Sequence, residues 1–195
     1  MLTEQWSLAV AEAGGIEDPS GLPTLTDWVP AKVPGTAAEA LALAGRYDPE
    51  NPQVLHDKDI WYVTDFAVDE PGPRILRFDG LATIAEVYLN GEKILESRNM
   101  FLGHEVPVEL RKENRLVLCF RALQPVLDEK GPRARWRPQL ATSQGLRLVR
   151  TTLLGHMPGW CPDVHAVGPF RPISLIDTST PRVKTREIGA RLDGS

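Results

Sequence analysis

Cysteine is scarce in this chain of 195 residues, which contains only Cys119 and Cys161. Two cysteines cannot make the disulfide framework that holds small secreted scaffolds together, so the fold must depend on a packed core. Apolar residues make up 42% of the chain, which is enough for such a core. Cys119 lies in the apolar run LVLCF, and we expect it to be a small core residue.

Positive charge is also in short supply. The 22 lysines and arginines are outnumbered by 26 aspartates and glutamates, and no basic stripe alternates with aromatic residues, which argues against a nucleic-acid partner. No apolar run approaches the roughly 20 residues of a membrane-spanning helix, so we expect no membrane partner. The first residues, MLTEQWSLAV, contain no basic leader, and the simplest predicted location is the cytoplasm.

What the chain does contain is a series of short strand patterns. Its 17 prolines and 16 glycines are spread along the sequence, as is typical of strands joined by turns. Asn90-Gly91 between two apolar runs predicts a tight hairpin, because a type I′ turn needs positive φ at both central residues. The run LVLCF predicts a strand that is buried on both faces. The predicted strands are residues 5–10, 60–68, 74–78, 84–89, 92–95, 106–110, 116–120 and 170–176.

One segment, residues 36–44, predicts a helix. Thr36 is a candidate N-cap, Glu39 completes a capping box, and Gly45 provides a C-terminal stop. The sequence therefore predicts an all-β sandwich with one short helix closing an end. Within the strand at 60–68, Trp61 and Tyr62 must point to opposite faces. We expect one in the core, whereas the other, if it is exposed, would mark a domain interface or a sugar platform.

The composition changes after Asp177. Residues 178–181, TSTP, predict a linker, and the pattern that follows resembles a first strand without the rest of its domain. We therefore expect residues 1–177 to form the sandwich. Residues 178–195 are expected to be a linker and the first strand of a second domain.

Seven short motifs and one single residue, Phe66, carry a family resemblance when they are taken together in their order and spacing. The motifs are VPGT (33–36), DIWY (59–62), FDGL (78–81), VYLNG (87–91), NMF (99–101), NRL (114–116) and FRPI (170–173). With this set, the chain resembles the N-terminal sugar-binding domain of glycoside hydrolase family 2, in particular its β-mannosidase-like branch. This resemblance implies a jelly-roll, galactose-binding-domain-like sandwich, followed in such enzymes by an immunoglobulin-like domain and a (β/α)₈ barrel with two catalytic glutamates.

A catalytic barrel needs about 250 residues, which this chain does not provide. We therefore expect no catalytic residue and no cofactor in the chain itself, and a retaining glycosidase as its parent protein. The implied partners are a β-glycoside, shared with the barrel, and the following domains of the same protein. A free-standing carbohydrate-binding module is the alternative function, and a sandwich that mediates only protein contacts is a third.

The implied sugar contact lies near Trp160. The β-mannosidases of the family carry a Trp-Asp-Trp-Gly-Pro loop that helps to hold the sugar, and Trp160 and Pro162 match its second Trp and its Pro. Gly159 and Cys161 stand where that loop has Asp and Gly, which leaves the β-mannoside preference open. Asp163 is a candidate for the missing carboxylate. An indole face packs on pyranose C–H groups and a carboxylate accepts hydroxyl hydrogen bonds, but a packed loop tryptophan is the plain alternative.

Two further residues, Asn99 and Arg171, are candidate substrate contacts. The alternative for the Asn99 segment is core packing, and that for Arg171 is an ion pair with a carboxylate near the last strand. Histidine, cysteine and aspartate side chains between residues 156 and 165 are potential zinc ligands, but their spacing fits no common zinc pattern. These are His156, Cys161, Asp163 and His165. No metal site is therefore predicted.

Overall fold

Two antiparallel sheets make up the fold. The structure is a computed structural model, and it describes residues 5–132 and 137–178. The predicted strand of a second domain, and all of the predicted linker except Thr178, lie outside these residues. The strands are β1 (Trp6–Glu12), β2 (Val29–Ala31), β3 (Lys58–Ala67), β4 (Gly72–Phe78), β5 (Ala85–Leu89), β6 (Glu92–Ser97), β7 (His104–Leu110), β8 (Glu113–Phe120) and β9 (Ile173–Asp177).

The strand order is that of a sandwich. One sheet has six strands in the order β2-β1-β3-β8-β5-β6, and the other has three in the order β7-β4-β9. Every strand pairing within them is antiparallel. The all-β jelly-roll sandwich predicted from the sequence is confirmed.

The main core lies between the two sheets. Alternate residues of each strand face inwards, as the period of two requires. Leu8, Tyr62 and Leu118 of the large sheet pack there with Leu76 and Ile173 of the small sheet. Strand β8 is buried on both faces from Leu116 to Phe120, and Cys119 is fully buried, as predicted.

The outer face of the six-stranded sheet is covered as well. A 3₁₀ turn at Pro19–Thr24 brings Leu22 onto this face, where a second apolar cluster includes Trp61 and Val117. This cover buries Trp61, which is 0% exposed, and Tyr62 is 0% exposed because it faces the main core on the opposite side. The alternative in which one of them is an exposed platform is therefore wrong.

Helices and turns close the ends of the sandwich. Helix α1 (Ala37–Leu43) begins at Thr36, whose side chain accepts the Glu39 amide hydrogen bond at 3.3 Å, as predicted. The hairpin turn at Asn90-Gly91 is also confirmed, with φ values of 52° and 90°. Two further short elements were not predicted, namely α2 (Gln124–Asp128) and a 3₁₀ turn at Gln144–Leu148.

No helix among the described residues is both long and apolar enough to cross a membrane.

Candidate functional site

The segment that carries Trp160, here called the Trp160 loop (residues 151–168), is fixed firmly at its base. Ala82 and Gly168 exchange two backbone hydrogen bonds of 3.0 Å each. The carbonyl of Val167 accepts the amide of Ala37, the first residue of α1, at 2.8 Å. The base of the loop is thus tied both to the sandwich and to the helix at its end.

The entry to the loop is anchored by the segment after β6. The Met100 amide donates to the Arg150 carbonyl at 3.0 Å, and the Met100 sulfur accepts the Thr152 amide at 3.0 Å. The hydroxyl groups of Thr83 and Thr151 lie 2.6 Å apart. These contacts hold the first residues of the loop against the body of the domain.

The tip of the loop is a compact turn that presents an indole to solvent. The Met157 carbonyl accepts hydrogen bonds from the amides of Trp160 and Cys161, at 3.0 and 3.2 Å. The Gly155 amide donates to the Cys161 sulfur at 3.3 Å, which closes the turn from the other side. Trp160 is 75% exposed, although its backbone is fixed. A large apolar ring is therefore held on a rigid support with little of its surface in contact with the domain.

Asp163 follows the tip and is exposed. Burial lowers the pKa of the neighbouring His165 ring, and the charges of Asp163 and Asp57 oppose that shift. The candidate carboxylate therefore lies on the same loop as the exposed indole, close enough to His165 to act on its charge.

Asn99 and Arg171 occupy different settings. Asn99 is half-buried at the loop entry, where its Oδ1 accepts the Phe101 amide at 3.0 Å and shapes the local turn. Arg171 is exposed, with its guanidinium carbon 5.3 Å from the Phe170 ring centroid. Within residues 5–132 and 137–178, no carboxylate lies within ion-pair distance of Arg171. The ion pair offered as its structural alternative is therefore not found in this part of the chain.

Three histidines meet beside the Trp160 loop. The rings of His56 and His165 stack at 4.1 Å between centroids with 4° between their planes, and His156 lies 4.9 Å from each. One ligand atom from each of the three rings lies within 4.8 Å of the others. The sequence marks His156 and His165 as potential ligands, but His56, two residues before the start of β3, has no local motif to mark it.

Burial lowers the pKa of all three histidine rings and so favours their neutral form. Burial lowers the pKa of His56 to about 2, with added repulsion from His165 and His156. Burial likewise lowers the pKa of His156 to about 4. Two of the other zinc-ligand candidates are placed differently: the Cys161 sulfur is part of the loop turn, and Asp163 is exposed.

A family profile described as "Glycosyl hydrolase 2 galactose-binding domain-like" matches residues 6–171, which is most of the chain. The chain belongs to this family. The match spans the sandwich from its first strand to the residues that precede β9, and it includes the whole Trp160 loop.

The similar proteins are glycosidases much longer than this galactose-binding-like domain. It is 38% identical to Beta-mannosidase B of Thermothelomyces thermophilus over 123 residues, 58% of this chain and 14% of that protein. It is 29% identical to an exo-beta-D-glucosaminidase of Streptomyces avermitilis over 75% of this chain and 18% of that protein. The crystal structure of a beta-D-mannosidase from Dictyoglomus thermophilum superposes with a TM-score of 0.68 and 25% identity, covering 89% of this chain and 22% of that one.

The galactose-binding-like domain also exposes apolar side chains beside its candidate sugar contact. Leu153 and Leu154 lie on the Trp160 loop, and Leu140 and Leu148 lie on the preceding segment, all about half exposed. A groove of about 360 Å³ runs between these two segments and is lined by Leu140, Leu153 and Met157. Exposed apolar surface that is gathered in one place is typical of a site that contacts another molecule or domain.

Proposed function

We propose that this chain is the non-catalytic N-terminal domain of a family 2 glycosidase that hydrolyses β-mannosides or a related β-glycoside. The domain supports a catalytic (β/α)₈ barrel in the same protein and contributes the Trp160 loop to one wall of the sugar pocket. The proposal for the whole protein draws on its similarity to the two longer glycosidases and the mannosidase structure described above.

One observation carries the proposal at the residue level. Trp160 is 75% exposed at the tip of a loop whose base, entry and turn are each hydrogen-bonded. A tryptophan that only packs would be expected to bury most of its surface, and an exposed indole on a rigid support is a preorganised platform for a pyranose. Asp163, three residues further on, provides a carboxylate that can accept hydroxyl hydrogen bonds.

Asn99 and Arg171 remain secondary candidates for sugar contact. Asn99 lies where the segment after β6 meets the Trp160 loop, so its amide nitrogen is available near the loop entry. Arg171 follows the base of the loop and its guanidinium has five donors for sugar hydroxyl groups. Because Asn99 Oδ1 already shapes a turn, we expect its replacement to alter folding more than sugar affinity.

The apolar surface around Leu153 and Leu154 supports the interdomain part of the proposal. Contacts between domains of one chain bury surface of this mixed apolar and polar kind. We propose that the following domains cover the groove beside Leu140, so that the Trp160 loop is fixed against the barrel. The cytoplasmic location remains a prediction from the sequence.

The test is an assay of the complete protein that contains this domain. We expect turnover of one compound in a panel of p-nitrophenyl β-glycosides (mannoside, galactoside, glucoside, glucuronide and glucosaminide). Trp160→Ala should lower kcat/KM by about 10- to 100-fold, the loss expected for about 1.4–2.7 kcal/mol of transition-state binding. Trp160→Phe keeps an aromatic face and should recover part of that loss.

Leu43→Ala is the matched control, since Leu43 is 72% exposed on α1 and outside the loop. Normal turnover by Trp160→Ala would contradict the contact between Trp160 and the sugar. A complete protein that hydrolyses none of the five glycosides, while this chain alone binds a sugar, would favour the free-standing carbohydrate-binding module.

A further inference from the structure

Two of the three clustered histidines have a ring nitrogen with no hydrogen-bond partner in the described part of the chain. His56 and His156 are only 4% and 3% exposed, and these nitrogens are His56 Nδ1 and His156 Nε2. A buried polar atom without a partner is uncommon and unfavourable, because it has lost its hydrogen bonds to water. Two such atoms within one cluster of rings are the feature from which a ligand site is inferred.

The other ring nitrogen of His156, Nδ1, lies 3.3 Å from the Thr142 hydroxyl. The backbone of Ala166 bonds to the His56 ring. A histidine that binds a metal usually donates its second ring N–H to a carbonyl, carboxylate or water, which fixes the tautomer and the ring orientation. His156 has this arrangement, with Nδ1 beside a hydroxyl and Nε2 without a partner among the described residues.

His165 completes the cluster with a different hydrogen bond. Its Nδ1 accepts the Leu55 amide at 3.2 Å, which places the proton of the neutral ring on Nε2. Coordination through Nδ1 breaks only this one bond and keeps the Nε2 proton in place. His165 is also less buried than the other two rings, so it is the ring with the most room to adjust.

We propose that His56, His156 and His165 form a binding site for one divalent cation of the imidazole-preferring class, namely Zn²⁺. Imidazole nitrogen suits Zn²⁺, whereas Mg²⁺ and Ca²⁺ prefer oxygen ligands. Three protein ligands leave a fourth position on the ion for water. The ligand atoms lie within 4.8 Å of one another, whereas nitrogens on a tetrahedral ion at about 2.0–2.1 Å are about 3.3 Å apart. Binding therefore requires the stacked rings to turn towards a common centre.

The ion would join two parts of the domain that are distant in the sequence. His56 lies two residues before the start of β3, and His156 and His165 lie on either side of Trp160 in the loop. Closing a loop between its two ends reduces the freedom of the residues between them. The bound ion thus fixes the position of the loop tip, and this consequence holds whether or not Trp160 contacts a sugar.

The test uses the 195-residue chain with any affinity tag removed, titrated calorimetrically with ZnCl₂ at pH 7.5. We expect one zinc ion per chain, release of the ion by EDTA, a higher Tm with zinc, and no response to MgCl₂. His56→Gln and His156→Gln should each weaken zinc binding by about tenfold or more. The control is His104→Gln, which changes the fourth histidine of the chain, lies outside the cluster and should bind zinc normally.

A second measurement does not depend on the folding of variants. Co²⁺ added to the unchanged chain should shift the ring proton resonances of three histidines and leave those of His104 in place. The proposal is overturned if the tag-free chain binds Zn²⁺ more weakly than about 100 μM. It is also overturned if zinc binding survives both glutamine variants and is lost in Cys161→Ser, or if Co²⁺ shifts all four histidines alike.

Discussion

The carboxylate of Asp59 and the guanidinium of Arg121 form an ion pair of 2.9 Å on the outer face of the six-stranded sheet. Asp59 is 1% exposed, and its other oxygen accepts the Ala122 amide at 2.8 Å. Arg121 also donates to the Ile16 carbonyl at 2.7 Å. The pair therefore connects β3 and the end of β8 to the N-terminal segment that covers Trp61.

Replacing one partner of this pair should destabilise the domain. In Asp59→Ala, the Arg121 guanidinium loses a negative charge that balances its own positive charge. The Ala122 amide also loses its hydrogen-bond acceptor. We expect the free energy of unfolding to fall by about 3 kcal/mol. Urea denaturation followed by circular dichroism measures the change.

The adjacent residue provides the control. Lys58 pairs with Glu12 at 2.9 Å, but the side chains of this pair are 31% and 81% exposed. Because solvent weakens an exposed ion pair, Lys58→Ala should lower the free energy of unfolding much less than Asp59→Ala. Equal losses in the two variants would show that the burial of Asp59 does not determine its contribution.

Glu86 makes the stability of this same network dependent on pH. Burial alone would raise the pKa of Glu86, but hydrogen bonds from Lys93, Arg121 and Tyr88 outweigh it and lower the pKa. A carboxyl group whose pKa is lowered on folding stabilises the folded state above its unfolded pKa, near 4.5, and loses this effect as the pH falls through the folded value. Glu86→Gln should therefore destabilise the domain at pH 7.

The pH dependence distinguishes this effect from a change in packing. The difference in free energy of unfolding between the unchanged chain and Glu86→Gln should narrow as the pH falls below 4.5. Urea denaturation at pH 7, 5 and 3.5 gives the three values. Glu92→Gln, at an exposed position on β6, should change little at any of them. A constant difference for Glu86→Gln would mean that its charge does not matter.

Much of the fold could be predicted because its signals are local. Asn90-Gly91 requires positive φ, Thr36 caps the helix that follows it, and alternation marks the faces of the strands. The cover over Trp61 was not predicted. It depends on Leu22 and Arg121, which are distant from each other in the sequence, and neither has a local pattern that indicates the contact.

The residues of the candidate site also divide into those that have a local sequence signal and those that have none. Trp160 could be selected because it matches the family's sugar-contacting loop, and Asp163 because it lies three residues further on; both side chains are exposed. His56 could not, because its partners follow about a hundred residues later and its neighbours give no metal-ligand spacing. Only the meeting of the segment before β3 and the Trp160 loop brings the three rings together.

The two cysteines should differ sharply in reactivity. Cys119 is fully buried in β8, and burial raises the pKa of its thiol. Cys161 is partly exposed in the turn of the Trp160 loop. Since the thiolate is the reactive form, Ellman's reagent should label one thiol in the folded chain and two in urea. Cys161→Ser should abolish the labelling of the folded chain, and rapid labelling of that variant would contradict the buried position of Cys119.

Two glycines of the Trp160 loop allow a test of how rigid the loop turn is. Gly155 and Gly159 have similar φ values of 82° and 83°, which disfavour any other residue. They differ in their surroundings: a Cβ at Gly155 would lie 2.4 Å from the Val164 carbonyl oxygen, whereas one at Gly159 would have no atom within 4 Å. Gly159→Ala should therefore lower the free energy of unfolding by about 1–2 kcal/mol through backbone strain alone.

Gly155→Ala adds a backbone clash to the same strain, and we expect a further loss of about 1–3 kcal/mol. Urea denaturation of the two variants gives the difference between their free energies of unfolding. Because the two positions have matched φ values, the backbone strain contributes equally to both variants and drops out of this difference. Because the clash pushes Val164 away from Gly155, the backbone amide resonances of the turn around Cys161 should shift more in Gly155→Ala. Equal stability of the two variants would show that the loop relaxes at no cost, and a loop that relaxes so easily could not hold Trp160 as a preorganised platform.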